Sequence, residues 1–329
     1  MITIDSLNAR MWSKLGSRGT FGLAMFELGK TVENLMVLTA DLANTSGLDR
    51  YKKTYPNKFL NIGIAEQNMI GIAAGMAKEG KNVFATSFST FASMRSYEQI
   101  RFNLGYMGFN VKVVGLAGGL AMGMFGVSHY GFEDVALMRS VPGLTVISPA
   151  DGAELIKTVF ALTDFEGPAF VRLTGAMNNP IVYKKDYDFK IGQSILLREG
   201  DDIAIIAAGT MVYQALLAAK ILNEKNIFVR VINMHTIKPL DVVAVKNACE
   251  ETKLIVTVEE HGLVGGLGGA VAEYKTTLKK APSQLMIGLP DTFDKVGEYQ
   301  FLLEKYGLSG EKIAEQILKT YNRCSGTSH

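Results

Sequence analysis

The sequence predicts two α/β domains, each a doubly wound and mainly parallel sheet, and three observations carry that expectation. Short, almost unbroken apolar runs alternate with longer stretches of helical periodicity, as strands covered on both faces and their crossover helices do. The alternation stops at a polar stretch in the middle of the chain and then resumes. With 329 residues, each half is long enough to bury a core of its own. Domains are therefore expected at residues 1–178 and 194–329, joined by a linker over 179–193.

In the first half the apolar runs are "LMVLTA" (35–40), "VFATSF" (83–88), "VKVVGLA" (111–117), "LTVISP" (144–149) and "AFVRLT" (169–174). Helical patterns fill residues 17–30, 66–79, 90–105 and 151–164. The last opens with "PADGAEL", where Asp151 is placed to cap the helix and Glu154 follows three residues later, as in a capping box. The stretch "MNNPIVYKKDYDFKIGQ" (177–193) has neither period and reads as the connection between domains. In the second half the strands are "DIAIIAAG" (202–209), "FVRVINM" (228–234), "LIVTVEE" (254–260) and "LMIGLP" (285–290). Helices are expected near 210–224, 239–250, 265–280 and 309–322.

Composition narrows the function classes. With 34 basic and 32 acidic residues the net charge is +2, which gives nucleic acid or an anionic membrane no purchase. The two cysteines, Cys249 and Cys324, lie far apart without CxxC spacing, so a disulfide framework or a zinc site is not expected and a reducing cytoplasm is. The stretch "MITIDSLNARMWSKLG" lacks a signal-peptide core and no apolar run reaches membrane-spanning length.

Chemistry in such folds gathers where strands end and helices begin. Four stretches qualify: "TADLANTSG" (39–47), "FLNIGIAEQNM" (59–69), "SFSTFASMRSYEQIR" (87–101) and "LAGGLAMGMFGVSHYGFED" (116–134). Each residue in them has an ordinary role open to it. Glu66 can complement a helix dipole, Phe88 and Phe91 can be core, and His129 can be a satisfied loop residue. The glycine-rich stretch has neither GxGxxG at a strand–helix junction nor GK[ST], which argues against a simple nucleotide site.

Together these stretches resemble the pyrimidine-binding domain of transketolase-like thiamine diphosphate enzymes. "INMHTIKPLD" (232–241) and "VEEHGLVGGLGGAV" (258–271) resemble the transketolase C-terminal domain. The most specific part is "GIAEQNMIGIAAGMAKEG" (63–80), which is similar to split transketolases and to 1-deoxyxylulose-5-phosphate synthase. The resemblance implies that Glu66, desolvated among Ile62, Ile64 and Met69, hydrogen-bonds a ring nitrogen of the cofactor's aminopyrimidine and shares a proton with it. Phe88 and Phe91 would pack on that ring, and Leu42 would touch the cofactor. Arg18 would hold a substrate phosphate, with Thr45 standing where the family has a phosphate-binding serine. His129 would contact the reacting oxygen, although its neighbour is Tyr130 rather than glutamine.

Two positions depart from the family. Ala117 replaces a phosphate-binding histidine, and Phe125 replaces an aspartate that recognises a sugar hydroxyl. Losing a hydrogen bond to a charged group costs about 1.5–3 kcal/mol. An unusual acceptor, such as a deoxy or nucleotide-linked keto sugar, is therefore expected. The GDG motif that carries magnesium and diphosphate in the family is missing; "GDD" (200–202) precedes a strand and does not match. Thiamine diphosphate and Mg2+ would thus be held mainly by a separately encoded N-terminal transketolase component, with no metal ligand on this chain. Homodimerisation and a heterotetramer are implied, and the activity would be transfer of a two-carbon ketol unit in carbohydrate metabolism. Two alternatives stay open: the β subunit of a thiamine-dependent 2-oxoacid dehydrogenase, and a non-catalytic assembly partner.

Overall fold

The computed structural model describes residues 2–293 and 296–324. In chain order the strands are β1 (Leu35–Thr39), β2 (Phe59–Asn61), β3 (Asn82–Phe88), β4 (Val111–Leu116), β5 (Thr145–Ile147), β6 (Ala169–Arg172), β7 (Ile195–Arg198), β8 (Ile203–Ala207), β9 (Val229–Asn233), β10 (Thr236–Lys238), β11 (Leu254–Gly262) and β12 (Ser283–Leu289). They form a seven-stranded sheet of order β10-β5-β6-β4-β3-β1-β2 and a five-stranded sheet of order β12-β11-β8-β9-β7. Among these strands only β10 on β5 and β7 on β9 pair antiparallel. Every residue of β3, β4 and β8 is buried, which is why those segments are continuously apolar rather than alternating.

The two short antiparallel edges have no counterpart in the sequence expectations. β10 comes from the second half yet extends the first sheet, with Thr236 opposite Ile147. Three residues carry too little periodicity to announce a strand.

The first helix runs over Ser6–Thr31, longer than expected, because Asp5 caps it by accepting the N–H groups of Leu7 and Asn8 at 2.9 and 2.8 Å. Gly16 interrupts it with φ 69°, and a Cβ there would come within 2.9 Å of the Ala176 carbonyl. At the helix Gly152–Asp164, Asp151 caps as expected, accepting from the Glu154 N–H at 3.0 Å. The Glu154 carboxylate returns to Ala150 N–H at 2.7 Å, one residue before the cap. The other Asp151 oxygen accepts the Val182 and Tyr183 N–H groups, each at 2.8 Å, and so fastens the connection between the halves. Residues 91–106 are helical but partly wound wide, with Met107 N–H donating to Phe102, five residues back. One apolar cluster runs through both halves, from Val37 and Val171 to Ile205 and Val256. Among the described residues no helix is long and apolar enough to cross a membrane.

Candidate active site

The carboxyl ends of β4, β3, β1 and β2 stand side by side, and the stretches singled out in the sequence leave from them. Glu66 opens the helix Glu66–Lys78 and is only 4% exposed. Ser87 Oγ, on β3, donates to Glu66 Oε1 at 3.1 Å. Arg95 reaches both carboxylate oxygens, at 3.3 and 3.4 Å. The expected apolar surroundings are corrected here: Met69 is buried, but Ile64 is 77% exposed. A tight turn in which Ala65 N–H donates to the Gly63 carbonyl places Ile64 at its outer side.

Arg95 also lies over the Phe91 ring, 3.8 Å from its centre, a cation–π contact. From there an aromatic cluster continues. Phe91 meets Phe88 edge-on at 5.8 Å, and His129 packs on both at 5.3 Å. Phe125 lies 5.0 Å from His129 and is 63% exposed, so it forms the outer wall of the cluster. Burial, and next the positive charge of Arg95, hold the His129 pKa below the ordinary imidazole value. At neutral pH the ring is thus uncharged, with Nδ1 2.9 Å from Ser128 Oγ.

Arg18 and Thr45 line a separate cleft of about 280 Å³ together with Leu15, Asn44 and Met177. Partial burial lowers the Arg18 pKa without neutralising it. The structure thus brings Glu66, Phe88, Phe91, Phe125 and His129 into one cluster and Arg18 and Thr45 into one cleft. Leu42 is half-buried against the core in the loop after β1, where its carbonyl accepts from Ser46. Ala117 is 3% exposed at φ 54°, packed in the core at the end of β4. Sequence reasoning missed Ser87 and Arg95. Arg95 follows Phe91 by four residues, a helical spacing that puts both on one face.

A buried carboxylate beside a small aromatic cluster thus stands at the carboxyl ends of parallel strands. The chain belongs to the transketolase family: the model of the transketolase pyrimidine binding domain matches residues 13–178, and that of the transketolase C-terminal domain matches residues 192–313. It is 42% identical over 306 residues to a putative transketolase C-terminal section of Methanocaldococcus jannaschii, covering 92% of this chain and 96% of that one. It is 37% identical over 306 residues to one of the subunits of the apulose-4-phosphate transketolase of Phocaeicola vulgatus, covering 93% and 97%. A solved structure described as a split gene transketolase, inactive β4 tetramer, superposes with a TM-score of 0.83 at 37% identity, covering 93% of this chain and 98% of that one. The chain is therefore a transketolase-like C-terminal component of two domains.

Proposed function

We propose that this chain is one half of a two-chain, thiamine diphosphate-dependent transketolase. It moves a two-carbon ketol unit from a ketose phosphate to an aldehyde or keto-sugar acceptor poorer in hydroxyl groups than an ordinary aldose phosphate. The observation that carries the reading is the continuous set of contacts from Glu66 through Arg95, Phe91 and Phe88 to His129 and Phe125. These residues fit an aminopyrimidine, with a buried carboxylate for a ring nitrogen and phenyl rings for its faces. Once bound, the cofactor would supply the electron sink for carbon–carbon cleavage.

Glu66 holds and returns a proton at that ring nitrogen, and Ser87 orients its carboxylate. Arg95 competes for the same oxygens, so it must yield when the ring arrives. His129, uncharged, donates a hydrogen bond to the reacting oxygen from a ring N–H. Phe125 closes the acceptor side with an apolar wall, Leu42 borders the cofactor, and Arg18 with Thr45 takes the substrate phosphate in the neighbouring cleft.

The diphosphate and Mg2+ fall to a separately encoded N-terminal component, since Mg2+ is bound through carboxylates and phosphate oxygens together. Two similar chains, one named as a C-terminal section and one as a transketolase subunit, are matched almost end to end and support that division. So does the description of a similar β4 tetramer as inactive. The test is reconstitution of this chain with such a component, followed by a screen of ketose phosphate donors. Ketol transfer is expected only when both chains are present; transfer by either chain alone, or none by the pair with any donor, rejects the reading.

A further inference from the structure

The stretch that carries Phe125 and His129 is held from behind by the second domain. At the end of β11, Glu260 is 2% exposed and reaches across the domain boundary. Its Oε1 accepts the Leu120 N–H at 2.6 Å. Its Oε2 accepts from Tyr299 at 2.6 Å and from Thr210 Oγ1 at 3.0 Å. A Cβ on Gly119 would lie 2.4 Å from Oε1, so only glycine admits this approach. The other foot of the loop is tied to the same place. Arg172 donates to the carbonyls of both Gly131 and Glu260, at 2.8 Å each, while Gly119 and Gly131 bridge each other at 3.1 and 3.2 Å. Further along, Gly297 N–H donates to the Gly123 carbonyl at 3.2 Å.

We propose that Glu260 is a positioning residue for the His129 loop, so that the second domain sets the geometry of a site formed in the first. One carboxylate ties three segments: the loop through Leu120, and through Thr210 and Tyr299 the starts of the helices Met211–Asn223 and Tyr299–Lys305. Its two oxygens divide the task, one for the loop and one for the seat. A substitution at Glu260 therefore releases His129 and Phe125 without touching either. The link from this loop to turnover rests on the functional reading above; the link from Glu260 to the loop does not.

The test uses this chain complexed with its partner component and reads amide hydrogen exchange alongside kcat and KM. In Glu260→Ala the Leu120 amide is expected to exchange at least about tenfold faster, the scale of one lost hydrogen bond to a charged acceptor. The acceleration is confined to residues 118–131. Glu260→Gln keeps one acceptor oxygen and restores most of the protection. With the loop loosened, kcat falls more than KM changes, because His129 acts on the reacting oxygen. Should Glu260→Ala fail to fold, Glu260→Asp withdraws the carboxylate by one methylene and gives the same local loosening. Unchanged Leu120 protection overturns the proposal, as does acceleration spread evenly over β8, β11 and β12, the mark of mere destabilisation. A loosened loop with unchanged turnover upholds the positioning role and rejects the assignment of His129 to the substrate.

Discussion

Arg95 bears on two candidate site residues at once, being paired with Glu66 and close enough to lower the His129 pKa. Arg95→Gln removes the second of the two causes of that depression and leaves the first, burial. The His129 pKa is therefore expected to rise part of the way to 6.5, as followed by its ring proton resonances in the free chain. No rise would mean that the guanidinium does not face the imidazole in solution. Glu66→Gln keeps the shape and the contact with Ser87 but cannot share a proton. Turnover of the reconstituted enzyme should drop by roughly 10²-fold, the scale of lost acid–base assistance, with the fold retained. Near-normal turnover would reduce Glu66 to a carboxylate at a helix start. Phe125→Asp should raise activity with ordinary aldose phosphates and lower it with the native acceptor. Replacing Ala117 by histidine is a poor companion to it, since that backbone is left-handed and the Cβ is packed in the core.

At the scale of elements, the helix Gly152–Asp164 shows how a capping sequence acquires a second task. Glu154 is fully buried among Asn233 and the stacked rings of Tyr183 and Tyr187, which lie 3.9 Å apart. Burial pushes its pKa from 4.5 up to about 8, against the hydrogen bonds from Asn233 and Ala150 that favour the anion. The folded chain thus holds a proton that the unfolded chain gives up near pH 4.5. The corresponding stability is fully present below that pH and is lost as pH rises through about 8. Glu154→Gln, permanently neutral, should show a flatter melting temperature between pH 5 and 9 than the parent chain. A parallel decline in both would place the titration elsewhere, Glu259 being next with a pKa raised to about 7 by burial.

At the scale of the molecule, the two halves are joined by more than a linker. Asp134 and Arg172 form a fully buried pair, with Nε to carboxylate distances of 2.8 and 2.9 Å, and His261 of the second half accepts the Ala136 N–H beside them. Asp134→Asn removes the nearest counter-charge of the guanidinium, and breaking a buried pair costs about 3–5 kcal/mol. Denaturant midpoints should fall accordingly, in one transition if the halves unfold together. Assembly makes a separate prediction. The isolated chain should bind thiamine diphosphate and Mg2+ poorly by calorimetry, and tight magnesium-dependent binding would reject the half-site reading.

The sequence by itself determined the α/β class, the alternation of nine strands with helices, and the segment 63–80 that places the chain among transketolases. It could do so because these signals are local: apolar continuity for a strand covered on both faces, and a side-chain oxygen before a helix for a cap. Glu66, Phe88, Phe91 and His129 each have an ordinary role open to them in the sequence and stand out only through the family resemblance; the structure gathers them into one cluster. Only the tertiary structure decided that β10 crosses to the first sheet, that Arg95 rather than Ile64 faces Glu66, and that Glu260 holds Leu120 from 140 residues away. These are pairings between segments distant in the chain, which meet only when the elements pack. Local periodicity records which face of a segment is buried, and it carries no trace of what that face is buried against.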